Sequence, residues 1–343
     1  MNRRLFVRAD GNEEIGIGHI MRSMTIANVF RRAGYACTYI SSNPIKRDVF
    51  DRYDYDVIDI DYPFDIKSAE EAYDVLRIIN KYGNGYLLVD SYYAGNDYLS
   101  ILRQGTTLIC INSTTKRLNT DYLINENIAC NREYIEELYS GTGTMLLLGS
   151  DYSPIRDEFV RRNYQTRKKV TRIMVTTGGG DQHNFMTKFV RRIRNIRRYD
   201  PIHFTMVSGG YNIYYDELSN EANKTENVVV ISNPKNMADL MMESDLAISA
   251  GGTTILELSV IGVPAIGISV ADDQRAGLSF MGKTGMIQYA GHTTDVGFWD
   301  VLIECLDDAI DNYSNRKTLS TKSRSCFDGK GAERIFLQIT GEK

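Results

Sequence analysis

Short apolar runs alternate with amphipathic stretches along this chain of 343 residues, and the alternation restarts once, at residue 170. This pattern is typical of parallel α/β folds, in which each strand is followed by a helix that covers the sheet. The first series opens with "RLFVRA" (4–9) and the second with "VTRIMVTTGGG" (170–180). Each opens with a strand, a glycine-containing turn and a helix. The pattern therefore predicts two doubly wound, Rossmann-type α/β domains.

The polar and basic stretch between the two series sets the domain boundaries. We predict an N-terminal Rossmann-like domain over 1–150, a linker over 151–169, a C-terminal Rossmann-like domain over 170–327 and a C-terminal helix over 328–343. Doubly wound sheets bind ligands outside the carboxyl ends of their strands. We therefore expect the two domains to face a central cleft that holds the ligand.

Composition argues against several classes of protein. The formal net charge of −4 lacks the basic excess of a nucleic-acid-binding protein, so no nucleic-acid partner is expected. No apolar stretch approaches the roughly 18 residues of a membrane span, and no signal segment is visible at the N-terminus. Five scattered cysteines without a C-x-x-C pair fit a reducing compartment, and four widely separated histidines suggest no metal site. We expect a cytoplasmic protein without an integral membrane segment, metal or cofactor.

The stretch "GIGHIMRS" (16–23) follows the first predicted strand and opens the first helix. A dinucleotide-binding fingerprint needs a third glycine and an acidic residue at the end of the second strand. Met21 stands at the glycine position, and the second strand ends in Ser41 and Ser42. Both requirements fail, so a nicotinamide-dependent enzyme is disfavoured.

The same stretch is suited to an anion. Gly16 and Gly18 precede a helix N-terminus, where free backbone N–H groups and the helix dipole favour negative charge. His19 would face that anion with an imidazole that exchanges a proton near neutral pH. Gly16, Gly18 and Arg22, which lies one turn beyond His19, are predicted to bind the substrate. A histidine that only hydrogen-bonds locally is the alternative at this point.

A second candidate group ends the fourth strand, in "VDSYY". Asp90 and Tyr92 are expected at the carboxyl edge of the sheet, beside the turn that carries His19, and Asp90 is predicted to bind the substrate. Tyr92 could hold a sugar hydroxyl or a water molecule. Because the chain has 22 tyrosines, a packing role is the alternative.

The sequence "SAGGTTILE" in the second half carries the strongest signal in the chain. A buried strand runs into Gly251 and Gly252, and Thr253 and Thr254 open a helix. Their amides and hydroxyls predict a cradle for phosphate. Glu257 projects from the same helix face as Thr253, four residues earlier. A carboxylate there could accept hydrogen bonds from ribose hydroxyls while a diphosphate rests on the turn.

A third glycine turn, "TTGGGDQHN", ends the first strand of the second series. Gly178 and Gly179 would supply further amides to the ligand. Asp181 and His183 in the same turn are interpreted as solvated loop residues.

Six stretches together resemble the nucleotide-sugar hydrolases of pseudaminic acid biosynthesis: "GIGHIMRSMTIA", "VDSYY", "LLLGSDYSPIRDEF", "TTGGGD", "SAGGTTILELSVIGVPAIGISVADDQ" and "DGKGAERI". Those enzymes release UDP from UDP-2,4-diacetamido-2,4,6-trideoxy-β-L-altrose. They are related in fold to the peptidoglycan glycosyltransferase that uses UDP-N-acetylglucosamine. The resemblance covers nearly the whole chain in consistent order and implies a GT-B-like fold.

The resemblance also implies roles for particular residues. His19 matches a catalytic histidine, and Tyr92 matches a supporting active-site tyrosine. The turn 251–254 matches the diphosphate site, and Glu257 matches a ribose ligand.

Two departures from the family pattern concern the sugar. Asp273 and Gln274 stand where the family usually has Asn-Gln, near the sugar. The stretch "INSTTKR" (111–117) replaces a pair of acidic residues found in many relatives. Both differences leave the identity of the sugar open.

The resemblance implies metal-independent hydrolysis of a UDP-activated amino or deoxy sugar at its anomeric carbon. The C–O bond would break with inversion, and the free sugar would enter nonulosonic acid biosynthesis. The expected partner is a small-molecule nucleotide sugar. Two alternatives are a GT-B glycosyltransferase that moves the sugar to an acceptor and a non-catalytic subunit that binds the sugar nucleotide.

Overall fold

A computed structural model describes residues 3–12, 16–42, 48–113 and 116–342. Residues 114 and 115 of the "INSTTKR" stretch lie outside this part. The chain divides into two compact units. Unit 1 comprises Met1–Pro154 with Lys330–Lys343, and unit 2 comprises Ile155–Gly329.

Within the described residues, unit 1 contains a seven-stranded sheet of order β3-β2-β1-β4-β5-β6-β7, in which all neighbours pair in parallel. Its strands are β1 (Arg4–Ala9), β2 (Ala36–Ser42), β3 (Asp56–Ile60), β4 (Tyr86–Asp90), β5 (Thr107–Ile111), β6 (Tyr122–Asn125) and β7 (Met145–Leu148). Its first helices are α1 (Gly18–Arg32), α2 (Asp48–Arg52), α3 (Ala69–Tyr82), α4 (Asn96–Arg103) and α5 (Arg132–Leu138).

Helices cover both faces of this sheet, which explains the continuous apolar runs in its strands. Successive side chains of a strand point to opposite faces. Leu5 and Val7 therefore join the core that contains residues of α1, whereas Phe6 joins the core that contains residues of α3 and α4. All three side chains are fully buried.

Unit 2 contains a six-stranded parallel sheet of order β10-β9-β8-β11-β12-β13. Its strands are β8 (Arg172–Thr176), β9 (His203–Ser208), β10 (Val228–Ser232), β11 (Leu246–Ala250), β12 (Ala265–Ser269) and β13 (Gln288–His292). Its helices are α6 (Phe185–Ile193), α7 (Tyr215–Ala222), α8 (Met237–Glu243), α9 (Thr253–Ile261), α10 (Asp272–Lys283), α11 (Phe298–Asp311) and α12 (Tyr313–Cys326).

The segment 151–169, proposed as a linker from its polarity, is divided between the units. Its residues from Ile155 onward pack into unit 2, where Phe159 and Tyr164 are buried. The Tyr164 hydroxyl donates a hydrogen bond to the backbone oxygen of Ser244 at 3.0 Å. The stretch is polar in sequence but anchored by its aromatic side chains.

The last helix, α13 (Gly331–Thr340), returns to unit 1 and packs against α1. Phe336 meets the ring of Phe30 edge-on, with centroids 4.9 Å apart. Gly331 opens the helix so close to the preceding chain that a Cβ there would lie 2.1 Å from the backbone oxygen of Ser153. A residue without a side chain is therefore required at the start of α13.

In both sheets the strand order reverses beside the first strand of the unit. β1 lies between β2 and β4, and β8 lies between β9 and β11. The connections after these neighbouring strands diverge and leave a crevice at their carboxyl ends, where doubly wound sheets bind ligands. Each unit thus has one crevice of this kind, which we call its switch point. In the described part of the chain, no helix is long and apolar enough to cross a membrane.

Candidate active site

The turn after β1 brings His19 to the switch point of unit 1. Gly16 adopts a positive φ of 69° and donates its N–H to the backbone oxygen of Asn12 at 2.8 Å. This left-handed conformation is the one that glycine adopts without steric cost. α1 then begins at Gly18, and His19 is buried in its first turn. Gly16 therefore precedes α1 in a conformation suited to glycine, and the histidine lies at the helix start.

Asp90, the last residue of β4, is the partner of His19. It stands opposite Ala9 in the β1–β4 register and is buried. His19 Nδ1 and Asp90 Oδ1 are 2.6 Å apart. An ionised carboxylate can only accept hydrogen bonds, so this contact assigns the proton to Nδ1. Nε2 then carries the lone pair and can act as a base.

Arg22 holds Asp90 from the other side. Its Nε donates to Asp90 Oδ2 at 2.5 Å and its Nη2 donates to Oδ1 at 2.5 Å. Burial alone would favour the neutral acid, but Arg22 and His19 outweigh it and hold the pKa of Asp90 below its ordinary value. Asp90 is therefore ionised at neutral pH. The charged groups of Arg22 and Asp90, two residues predicted to contact substrate, bind each other and orient His19. Their contact with substrate stays a prediction.

Tyr92 packs on His19. The two rings meet edge-on, with centroids 4.4 Å apart and an interplanar angle of 83°. Tyr92 is 60% exposed. It shields one side of the imidazole while much of its own surface stays accessible to a ligand.

Glu126, which sequence reasoning missed, completes this group. It directly follows β6, and its Oε1 accepts a hydrogen bond from Arg22 Nη1 at 3.1 Å. Burial raises the pKa of Glu126, against the opposing effect of Arg22. The available signal was an acidic residue directly after a predicted parallel strand, which places it at the ligand-binding edge.

In unit 2, the turn after β11 forms an unblocked helix N-terminus. Gly251 follows the strand, and Gly252 takes φ 108° and ψ −159° before α9 begins at Thr253. Among the described residues, no side chain caps this helix by a hydrogen bond. The first N–H groups of an α-helix have no partner within the helix. The turn therefore presents amides and a positive helix end, as an anion requires.

The backbone conformation of Gly252 leads to a prediction about stability, because its φ and ψ lie in a region almost restricted to glycine. Gly252→Ala has room for the new methyl group, so strain alone decides the outcome. We expect a loss of about 1–3 kcal/mol in the free energy of unfolding, measured by denaturant titration. Gly95→Ala, at φ −90° and also with open space, is the control and should change stability by less. Equal effects of the two substitutions would contradict the strain argument.

Glu257 lies buried on α9, one turn beyond the glycine turn. Its Oε1 accepts hydrogen bonds from Arg156 Nε at 3.1 Å and Nη2 at 2.9 Å. Burial raises the pKa of Glu257, and Arg156 opposes that rise. The Arg156 guanidinium also stacks over Phe159, 4.6 Å from the ring centroid. Arg156 was not singled out from the sequence, although it stands within the family-like stretch "LLLGSDYSPIRDEF".

Gln274 and Asp273 open α10 beside the same turn. Gln274 Oε1 accepts a hydrogen bond from the backbone N–H of Val270 at 3.0 Å. A Cβ on Gly251 would lie 2.8 Å from Gln274 Cβ, so a glycine is required at position 251 for the turn to approach the start of α10 this closely. Gln274 thus supports the turn, whereas the Asp273 side chain is exposed.

The glycine turn after β8 contains Gly178, which has φ +84°, and the exposed Gly179. The interpretation of Asp181 as a solvated loop residue is wrong, because Asp181 is buried. Its Oδ1 accepts the N–H of Phe185 at 2.7 Å and its Oδ2 accepts that of Met186 at 2.9 Å. A carboxylate in this position satisfies free amides at the start of α6.

His183, in the same turn, is also engaged. Its Nδ1 lies 2.6 Å from Thr293 Oγ1, and its ring lies 5.5 Å from that of His292. Among the described residues, no group of three or more His, Cys, Asp and Glu side chains is arranged to hold a metal ion.

The structure thus gathers the predicted residues into two groups. His19, Arg22, Asp90 and Tyr92 form one group in unit 1. The turn 251–254, Glu257 and Gln274 form the other, around α9 in unit 2. Each group lies at the switch point of its own sheet.

Comparison with known proteins identifies the fold. The glycosyltransferase family 28 C-terminal domain matches residues 172–277. The structure of MurG from Acinetobacter baumannii aligns with a TM-score of 0.68 at 12% identity, covering 99% of this chain and 100% of that one. This is a GT-B fold. The predicted fold class, two doubly wound domains of the GT-B type, is confirmed.

Another GT-B-type neighbour is UDP-GlcNAc 2-epimerase from Neisseria meningitidis, whose structure was determined with UDP-GlcNAc bound. It aligns with a TM-score of 0.65 at 12% identity and covers 99% of this chain and 100% of its own. Identities this low establish the fold alone.

Three curated proteins are similar in sequence. An uncharacterized protein of Methanocaldococcus jannaschii is 25% identical over 79% of this chain, which spans only 57% of that protein. The UDP-2,4-diacetamido-2,4,6-trideoxy-beta-L-altropyranose hydrolase of Campylobacter jejuni is 21% identical over 82% of this chain and 97% of its own length. The spore coat polysaccharide biosynthesis protein SpsG of Bacillus subtilis is 24% identical, over 95% of each chain. The predicted resemblance to the hydrolase is confirmed as a distant similarity.

Proposed function

We propose that this GT-B protein is a nucleotide-sugar enzyme that hydrolyses a UDP-activated amino or deoxy sugar at the anomeric carbon. The products are UDP and a free sugar for nonulosonic acid biosynthesis of the pseudaminic type. The observation that carries the proposal is the buried His19–Asp90 pair, which leaves His19 Nε2 as a base at the switch point of unit 1. Similarity to the Campylobacter hydrolase along 97% of its length supports the choice of reaction.

Unit 2 binds the nucleotide in this proposal. The diphosphate rests on the amides of the turn 251–254, and Gly178 and Gly179 supply further N–H groups. Glu257 accepts hydrogen bonds from the ribose hydroxyls, and Arg156 keeps its carboxylate oriented. Backbone amides and the positive end of α9 stabilise the charge that develops on the departing diphosphate, so the reaction proceeds without a metal ion.

Unit 1 activates the water. Its oxygen attacks the anomeric carbon while His19 Nε2 takes one of its protons. The bond between the anomeric carbon and the diphosphate oxygen breaks, and its electron pair leaves with UDP. Asp90 keeps the proton on Nδ1 and stabilises the imidazolium that forms. Tyr92 positions the water or a sugar hydroxyl. A single displacement of this kind inverts the anomeric configuration.

A GT-B glycosyltransferase is the second candidate, favoured by the family 28 domain match at residues 172–277. In that case an acceptor hydroxyl replaces water. The test is incubation with a panel of UDP- and CMP-sugars without any acceptor, with detection of free nucleotide. Turnover supports the hydrolase. Release of nucleotide only after an acceptor is added supports the transferase, and tight UDP binding without turnover in either case supports a non-catalytic binding subunit.

The bond that breaks gives a further prediction. Attack at the anomeric carbon in ¹⁸O-water places the label on the anomeric hydroxyl of the sugar and leaves UDP unlabelled. Mass spectrometry of both products measures this directly. The reaction run in ordinary water, with the products then kept in ¹⁸O-water, controls for exchange of oxygen at the anomeric centre. Label in the nucleotide, or UMP as the first product, would exclude the proposed reaction.

A further inference from the structure

Glu126 is an acidic group that contacts Arg22 and that the mechanism above does not use. Its side chain is 16% exposed, and its Oε1 accepts one hydrogen bond, from Arg22 Nη1. Its Oε2 is buried and has no hydrogen-bond partner among the described residues. Leaving a buried carboxylate oxygen without a partner costs free energy. Packing alone therefore does not explain why a carboxylate is buried at position 126.

The loop that carries Glu126 is firmly held. Asn125 Oδ1 accepts the N–H of Asn127 at 3.1 Å, and Asn127 Oδ1 accepts the N–H of Ala129 at 2.9 Å. The backbone oxygen of Asn125 accepts the N–H of Gly149 at 2.8 Å. These bonds fix the backbone on both sides of Glu126, so its carboxyl group is directed at Arg22 by the fold.

Four polar groups form a continuous chain here: Glu126, Arg22, Asp90 and His19. Arg22 Nη2 lies 3.1 Å from His19 Nδ1, so this cation acts against a positive charge on the imidazole. Asp90 offsets one cation only. When His19 gains a proton, Arg22 and His19 carry two positive charges against the single negative charge of Asp90. Tyr92 packs edge-on against the imidazole at the same place.

We infer that Glu126 is a positioning residue that acts through Arg22 and supplies the second negative charge needed when His19 takes a proton. The significance of this role for catalysis rests on the function proposed above. The charge coupling itself does not depend on turnover. Burial raises the pKa of Glu126, but Arg22 and a protonated His19 act in the opposite direction and favour its ionised form. With Glu126 ionised, the group is neutral once His19 is protonated. Without the negative charge of Glu126, protonation of His19 leaves a net positive charge on this buried group of side chains, which is unfavourable.

The decisive experiment is an NMR titration of the His19 imidazole in the whole protein, with the signal assigned by its absence in His19→Asn. Glu126→Gln keeps the size of the side chain and removes its charge. We expect its His19 titration midpoint to lie about 0.5–1 pH unit below that of the wild type. Glu137→Gln removes an exposed carboxylate from α5 in the same unit and is the matched control. It should leave the midpoint unchanged.

Glu126→Asp separates charge from packing, since it keeps the charge and shortens the side chain. Its midpoint should stay closer to the wild-type value than that of Glu126→Gln. Equal midpoints in Glu126→Gln and the wild type, or an equal shift in Glu126→Asp and Glu126→Gln, would overturn the inference. If Glu126→Gln does not fold, Glu126→Asp is compared with the wild type instead. A His19 midpoint in Glu126→Asp that lies about 0.5–1 pH unit below the wild-type value, as expected for a lost charge, would contradict the inference.

Turnover gives the second readout. The acid limb of the pH profile of UDP release should move to lower pH in Glu126→Gln, in the same direction as the titration, while UDP affinity stays unchanged. An unmoved acid limb would contradict the role in catalysis. If the wild-type protein releases no UDP from any sugar, the proposed function fails. The NMR titration still decides whether Glu126 is coupled to His19.

Discussion

We expect replacement of His19 with asparagine to lower turnover by about two to four orders of magnitude, the usual contribution of a general base. Asparagine retains a polar group near Asp90 but cannot accept and release a proton at neutral pH. UDP affinity should stay within a few-fold of the wild type, because the proposed nucleotide-binding residues belong to unit 2. Steady-state measurement of UDP release, with calorimetry of UDP binding, separates the two effects.

His203→Asn is the matched control for this prediction. His203 begins β9 in unit 2 and is exposed, so its replacement removes an imidazole without touching either group of candidate residues. Activity of His19→Asn within tenfold of the wild type would remove His19 from the catalytic role. A similar loss of activity in both variants would point to a general effect on the protein.

Replacing Glu257 with alanine should weaken UDP binding by about 1.5–3 kcal/mol, the range for hydrogen bonds to a charged group. That corresponds to a dissociation constant raised by about 10–150-fold. The structure adds a second consequence. Arg156 loses the partner that accepts both its Nε and Nη2 hydrogen bonds, although its Nη1 still pairs with Glu158 Oε1 at 2.6 Å. Calorimetry with UDP measures the change.

Because Glu257 is buried, alanine also leaves a cavity, and a second variant is needed to separate charge from packing. Glu257→Gln keeps the volume and removes the charge, so it should still weaken UDP binding. Glu226→Ala removes an exposed carboxylate of unit 2 and should leave affinity unchanged. Unchanged affinity in both Glu257 variants would mean that the ribose binds elsewhere.

The fold could be predicted from the sequence because the patterns that indicate strands and helices are local. Apolar runs that alternate with amphipathic stretches mark each strand and helix in turn, and the restart at residue 170 marks the second sheet. The glycine turns were equally visible. Gly252 takes a backbone conformation that is almost restricted to glycine. A pair of glycines between a predicted strand and a predicted helix therefore indicates such a turn.

Burial was harder to predict than secondary structure. Asp181 looked like a solvated residue of a polar turn, yet its carboxylate accepts two backbone N–H groups at the start of α6. The sequence around a polar loop residue is the same whether its side chain binds water or the free N–H groups of a helix. The stretch 155–169 also looks solvated, but its buried aromatic residues anchor it to unit 2.

The sequence by itself determined which residues could do chemistry: a histidine at the start of the first helix, and a glycine turn followed by a glutamate in the second half. Only the tertiary structure decided what each of them faces. Asp90 meets Arg22 from 68 positions away, Glu126 meets Arg22 from 104, and Arg156 meets Glu257 from 101. In unit 1, such distances along the chain are closed by parallel strands that end at one edge of the sheet, so the partners of Arg22 follow from strand order and not from any local motif. Arg156 reaches Glu257 from the segment that precedes β8.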